Sequence, residues 1–239
     1  MRHLNLVESD FEQLEKITLP RFPFCYLTFK SSKDDSLVFE VKDISYSGMQ
    51  IGLRDGEHSL RSDENISGHL RWAGSELEIN GTVKWNTEMR VGIEFSNSTS
   101  ERTEVETFLN IKKIASLLKP VHKVDYGVDL PAKLKYWLRA DGPVEVFTWQ
   151  HSDGELAKFQ ILVMENLVEW EDGHGLKTAR VLSKRDVNTP LISEDEYVFK
   201  IDEVIDDKKI DISKQLLSNL DHELMTQQAV DFIKMKLGI

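Results

Sequence analysis

The chain reads as mainly β with helices: a six-stranded antiparallel barrel plus a helix, followed by an α+β C-terminal domain with a long terminal helix. Three observations predict this. Six short apolar or alternating runs follow one another between Phe22 and Phe95, separated by Gly, Asp and Ser turn signals, the pattern of a small barrel. Each half of the chain then closes on a run with helical spacing. Finally, 239 residues are long for one small barrel and suit two cores. The boundary is expected near Pro120, dividing residues 1–119 from 120–239.

Taken in order, Ser9 with Glu12 fits a capping box, and Phe11 and Leu14 give a short apolar face, which predicts a two-turn helix from about Asp10 to Lys16. Pro20 ends it. Phe22 to Lys30 is aromatic and β-rich, and Ser31 to Asp35 is a polar turn. Leu37 to Val41 and Met49 to Leu53 are short strands on either side of Asp43-Ile44-Ser45-Tyr46-Ser47-Gly48. After a charged loop come a strand at Ile66 to Trp72, a turn at Ala73-Gly74 and a clean alternation. Leu77, Ile79, Gly81, Val83 and Trp85 fall on one face of that strand, with Glu76, Glu78, Asn80, Thr82 and Lys84 on the other. Arg90 to Phe95 is the last strand. Ser98 with Glu101 opens a helix that carries Val105, Phe108, Leu109, Ile114, Leu117 and Leu118 and ends at Lys119-Pro120.

In the second half, Asp141-Gly142, Asp153-Gly154 and Asp172-Gly173 mark turns between β-rich runs, and Phe159 to Trp170 is strongly apolar. Tyr197 to Ile205 and Lys209 to Ile212 predict a hairpin turning at Asp206-Asp207. Ser213 then caps a long helix that stops at Gly238. Leu130-Pro131 before a strand echoes Leu19-Pro20, a hint of a diverged duplication, but no glycine motif of the first half recurs: Asp211-Ile212-Ser213 runs into Leu216, and a helix cap explains it.

Composition bounds the function. The net charge is −11, with 15 basic and 19 acidic residues in 1–119 and 15 and 22 in 120–239. Neither half is basic, which argues against DNA or RNA as a partner, since phosphate-backbone affinity needs clustered Lys and Arg. A small anionic ligand needs only two or three cations. No apolar run approaches the ~20 residues of a membrane span, and nothing marks the N-terminus for secretion, so the expected location is the cytoplasm. Cys25, alone and alternating in an aromatic run, reads as a small buried hydrophobe. The seven histidines are scattered without ligand spacing, and no nucleophile or phosphate-loop motif is present. No metal, cofactor or enzymatic activity is expected.

The corner at Asp43 stands out. By residue type alone it is a turn stabilised by Asx and Ser bonds, or a small polar site where glycine allows close approach. Its surroundings resemble the PilZ domain, a bacterial barrel family best known for binding cyclic di-GMP. The resemblance rests on D-x-S-x-x-G at Asp43, Ser45 and Gly48, followed by Met49, and on Leu19-Pro20-Arg21-Phe22-Pro23-Phe24, whose arginine lies 22 positions before Asp43. Gly81 to Trp85 and Val91 to Phe95 look like the family's late strands. The match spans about residues 15–118.

The resemblance implies ligand binding by an R-x-x-x-R element before the barrel together with D-x-S-x-x-G on its surface. Arg21 matches the second arginine, but the first falls on Ile17, beside Lys16. A planar guanidinium grips phosphates and guanine faces in ways a lysine cannot copy. The alternative for Arg21 is a salt bridge at the barrel mouth. Trp85 reads as core by its alternation, or as a platform for a base. The expected ligand-binding residues are Arg21, Asp43, Ser45, Gly48, Lys16 and Trp85. The expected protein is a bacterial signalling protein that binds cyclic di-GMP and relays it to a second domain or a protein partner. The alternative is a degenerate adaptor that binds no nucleotide.

Overall fold

The computed structural model describes residues 14–20, 27–33, 37–53, 58–88, 90–96, 99–123, 130, 132–140, 144–188 and 193–238, with the backbone alone for 14–20, 99, 101, 183–188 and 193–196. Fourteen strands are described in order: β1 (Leu14–Pro20), β2 (Thr28–Ser31), β3 (Val38–Ile44), β4 (Gly48–Gly52), β5 (Asn65–Trp72), β6 (Ser75–Asn86), β7 (Arg90–Phe95), β8 (Lys119–Pro120), β9 (Leu134–Ala140), β10 (Val144–Gln150), β11 (Leu156–Val163), β12 (Asn166–Glu171), β13 (Gly175–Asn188) and β14 (Ser193–Ile201). The helices are α1 (Thr99–Phe108), α2 (Ile111–Ser116), α3 (Asp207–Ser218) and α4 (Gln227–Lys236).

Six strands close into an antiparallel barrel in the order β2-β3-β4-β7-β6-β5. Its inward positions are apolar, with Phe29, Phe39, Ile51, Leu70, Val83 and Val91 removed from solvent. The alternation that predicted the strands also makes this core. At the β5–β6 hairpin, Ala73 and Gly74 both take positive φ, 47° and 76°, as a two-residue turn matching strand twist requires. Arg21 to Tyr26, including Cys25, lie outside the described residues.

The other eight strands form a meander, β8 through β14 in sequence order, with β1 on its far edge. β1 pairs antiparallel with β14, Ile17 opposite Tyr197 and Pro20 opposite Glu194. The helix expected at Asp10 to Lys16 is therefore corrected over Leu14 to Lys16, which are strand; Asp10 to Gln13 lie outside the described residues. A short capping pattern is a weak local preference, and pairing along a sheet edge outweighs it. The sheet is apolar on both faces: Val144, Val146 and Phe159 join a core shared with the barrel and helices, while Trp137, Phe147, Leu162 and Phe199 form a second cluster.

The buried carboxylates inside this sheet, Glu145 and Glu169, are paired. Arg139 meets Glu145 at 2.6 Å, and Glu169, 1% exposed, takes Lys177 at 2.8 Å and Lys158 at 3.0 Å. Burial pushes the Glu169 pKa up, but hydrogen bonds from Lys177 and Gln160 and the charges of Lys158 and Lys177 outweigh it and hold the carboxyl below its usual value.

Three helix expectations are also corrected. The run after the barrel is two helices, because Asn110 takes extended backbone and its side chain accepts from the Lys112 and Lys113 amides to start α2 afresh. Lys209 to Ile212 are not strand. Asp206 caps α3 by accepting from the Lys208 amide, so the acidic pair begins a helix where a hairpin turn was expected. The long terminal helix is α3 and α4, separated at Asn219 to Thr226. Gly238 ends α4 with φ +75°. Among the described residues, no helix is long and apolar enough to cross a membrane, and no cluster of three His, Cys, Asp or Glu side chains fits a metal.

Candidate ligand cleft at the barrel corner

β3 carries an irregularity: Val41 pairs with Ile51 and Asp43 with Gln50, so Lys42 is an extra residue just before the aspartate. A bulge re-aims the side chains that follow, and Asp43 comes to line a cleft outside the barrel. The chain then turns tightly. The Ser45 amide donates to the Gly48 carbonyl at 2.8 Å, the Ser47 amide donates to Ser45 Oγ at 3.3 Å, and the Phe95 amide donates to the Ser47 carbonyl at 2.9 Å. Ser45 Oγ also lies 3.4 Å from the Gly48 carbonyl. The serine thus builds the turn and presents its edge to the cleft.

Gly48 is needed for a reason internal to the barrel. It pairs with Glu94 on β7, and a Cβ here would come within 2.5 Å of the Ile93 carbonyl oxygen. No side chain fits between β4 and β7 at that point.

Trp85 departs from the sequence alternation. The register shifts between Val83 and Trp85, so Lys84 is the extra residue and the indole turns outward, 44% exposed. The core reading is corrected: a bulge resets the period of two. The ring lies over Gly92, where a Cβ would meet the indole Nε1 at 2.2 Å. Beside it Lys84 pairs with Glu94 at 2.6 Å, and that carboxylate raises the lysine pKa by hydrogen bonding to it.

The cleft has a volume of about 560 Å³, within the range of small-molecule sites. Asp43, Ser45, Gly48 and Trp85 line the barrel side, and Glu165 and Leu182 of the second sheet line the other. Of the residues expected from sequence, the structure brings together those four. Lys16 lies in β1 opposite Val198, with only its backbone described; Arg21 lies outside the described residues. Sequence reasoning missed Lys84, Gln50, Glu94, Glu165 and Leu182. Lys84 stood on the polar face of its strand and carried no signal beyond its charge.

The half-buried Tyr46 extends from the same corner into a smaller pocket shared with Arg102 and Glu165. Burial, and then the Glu106 carboxylate, raises its pKa, so the phenol stays protonated.

Residues 18–110 match the PilZ domain family. No curated protein matches the chain. Among solved structures, the chain is similar to K. pneumonia MrkH in its apo state, with 10% identity over 80% of this chain and 86% of that one and a TM-score of 0.24. A K. pneumonia MrkH–c-di-GMP complex is similar at 9% identity, over 80% and 86% of the two chains, with a TM-score of 0.24.

Proposed function

Residues 18–110 form a PilZ domain, and from that premise we propose that the chain is a non-enzymatic bacterial signalling protein of the cytoplasm that binds cyclic di-GMP and relays it to its second sheet or to a protein partner. The observation that carries this reading is the cleft where Asp43, Ser45 and an outward-turned Trp85 converge. Asp43 and the Ser45 hydroxyl offer acceptors to guanine N–H groups. Trp85 offers an aromatic face on which a base can stack, a contact of ~1–3 kcal/mol.

The phosphates require cations. The described lining of the cleft has Lys84 against the carboxylates of Asp43, Glu94 and Glu165, so Arg21, the first residue after β1, supplies the guanidinium, with Lys16 as a second charge. Nucleic acid is no part of this reading, given the net charge of −11. Domain limits of 1–119 and 120–239 are retained as functional units, with β1 crossing from the first to the edge of the second sheet.

One observation favours the alternative of an adaptor that binds no nucleotide: Ile17 stands where the family has its first arginine and is paired into β1 opposite Tyr197. Calorimetric titration decides. The expected result is saturable heat with cyclic di-GMP, weakened roughly 10- to 150-fold by Arg21→Ala or Asp43→Ala, as loss of one charge-assisted contact of ~1.5–3 kcal/mol implies. No heat at high micromolar ligand, or binding indifferent to both substitutions, selects the adaptor.

A further inference from the structure

Leu182 lies within the long strand β13, yet it is 51% exposed. The cause is local. Val181 pairs with Phe199 and Ser183 with Val198, so Leu182 is the unpaired extra residue of a bulge and escapes the alternation that would hold it in the sheet. It lines the same cleft as Asp43, Ser45 and Trp85. Three bulges therefore meet at one place: Lys42 before Asp43, Lys84 before Trp85, and Leu182 itself. Two lie in the barrel, and the third comes from the second sheet, beyond the matched residues.

The Leu182 bulge is held in place. The Val181 amide donates to the Glu165 carbonyl at 2.8 Å, which ties the bulge to the β11–β12 hairpin tip. Glu165 also lines the cleft, and its carboxylate lies 3.4 Å from Arg180 Nη2. An apolar side chain held out of a sheet and into a cleft, with an exposed tryptophan on another wall, is an arrangement suited to a flat apolar ligand surface.

We infer that Leu182 is a ligand-binding residue: a purine base in the cleft is held between Trp85 of the barrel and Leu182 of the second sheet. The inference rests on the cyclic dinucleotide reading above. It gives that reading a physical relay, because a ligand touching both walls gains affinity only when barrel and sheet hold one relative position.

The test is calorimetric titration of the full chain with cyclic di-GMP, using Leu182→Ser, Leu182→Met and Asp43→Ala. Leu182→Ser is expected to weaken binding roughly 5- to 30-fold, Leu182→Met to stay within about twofold because volume and apolarity are kept, and the ligand-free melting temperature to stay unchanged in both. Should the serine variant melt lower, Leu182→Gln, closer in volume, carries the same expectation. Wild-type binding that is lost in Asp43→Ala but unchanged in Leu182→Ser or Leu182→Gln overturns this inference alone. An absence of heat with the wild type overturns the cyclic dinucleotide reading and this inference with it.

Discussion

A Cβ on Gly48 would stand 2.5 Å from the Ile93 carbonyl oxygen and 3.4 Å from the Glu94 Cα, both backbone atoms of the neighbouring strand. Neither can rotate away, so β4 and β7 would have to separate. Gly48→Ala is accordingly expected to lower stability by about 1–3 kcal/mol, the cost of overpacking a tight contact, with no ligand present. Urea denaturation measures it, and an unchanged midpoint would show that this glycine serves the ligand and not the barrel. Residue by residue, the candidate cleft was legible where short motifs encode local geometry: Ser45 and Gly48 form the turn their spacing implies, and Asp43 is paired opposite Gln50 in the strands leading into it. Of the two readings of Trp85, the core one failed because a bulge leaves no mark in an alternating sequence. Leu182 was missed for the same reason, lying in a strand with no motif around it.

Among the elements, strands with one apolar face were read well, and helix ends less so. Both Asp206-Asp207 and Ser213 could have opened a helix by residue type. The structure decides for Asp206, whose side chain accepts from the Lys208 amide while its own amide donates to Thr178 Oγ1 at 3.0 Å. Ser213 is buried inside α3. Asp206→Ala should therefore cost about 1 kcal/mol, the usual worth of an N-cap, and Ser213→Ala, a small replacement in mid-helix, appreciably less. Thermal melts of the two variants side by side check this, and equal losses would contradict the assignment. The strands of the second sheet were harder to read because Glu145, Gln160 and Glu169 occupy buried positions where apolar residues are expected. Ion pairs with Arg139 and Lys177 make that burial tolerable, and pairing partners distant in sequence cannot be recognised from composition.

For the molecule as a whole, the decisive feature is that barrel and sheet are not separate cores. One apolar cluster runs from Phe29 and Ile51 in the barrel through Val105 and Ile114 of the intervening helices to Val146, Ile161, Leu216 and Ile233, and α2 packs against α3. β1, which precedes the barrel in sequence, is hydrogen-bonded at the edge of the second sheet, so the chain passes from the sheet into the barrel and back again. The sequence could not show this pairing, because edge pairing between residues ~180 positions apart has no local signature. Units joined only by a linker and a modest polar interface unfold separately, whereas a shared apolar core makes the loss of either half expose the other. The intact chain is therefore expected to unfold in a single calorimetric transition, with calorimetric and van't Hoff enthalpies in agreement. Two resolved transitions would show that the shared core is too weak to couple the halves, and would leave a ligand in the cleft as the main link between them.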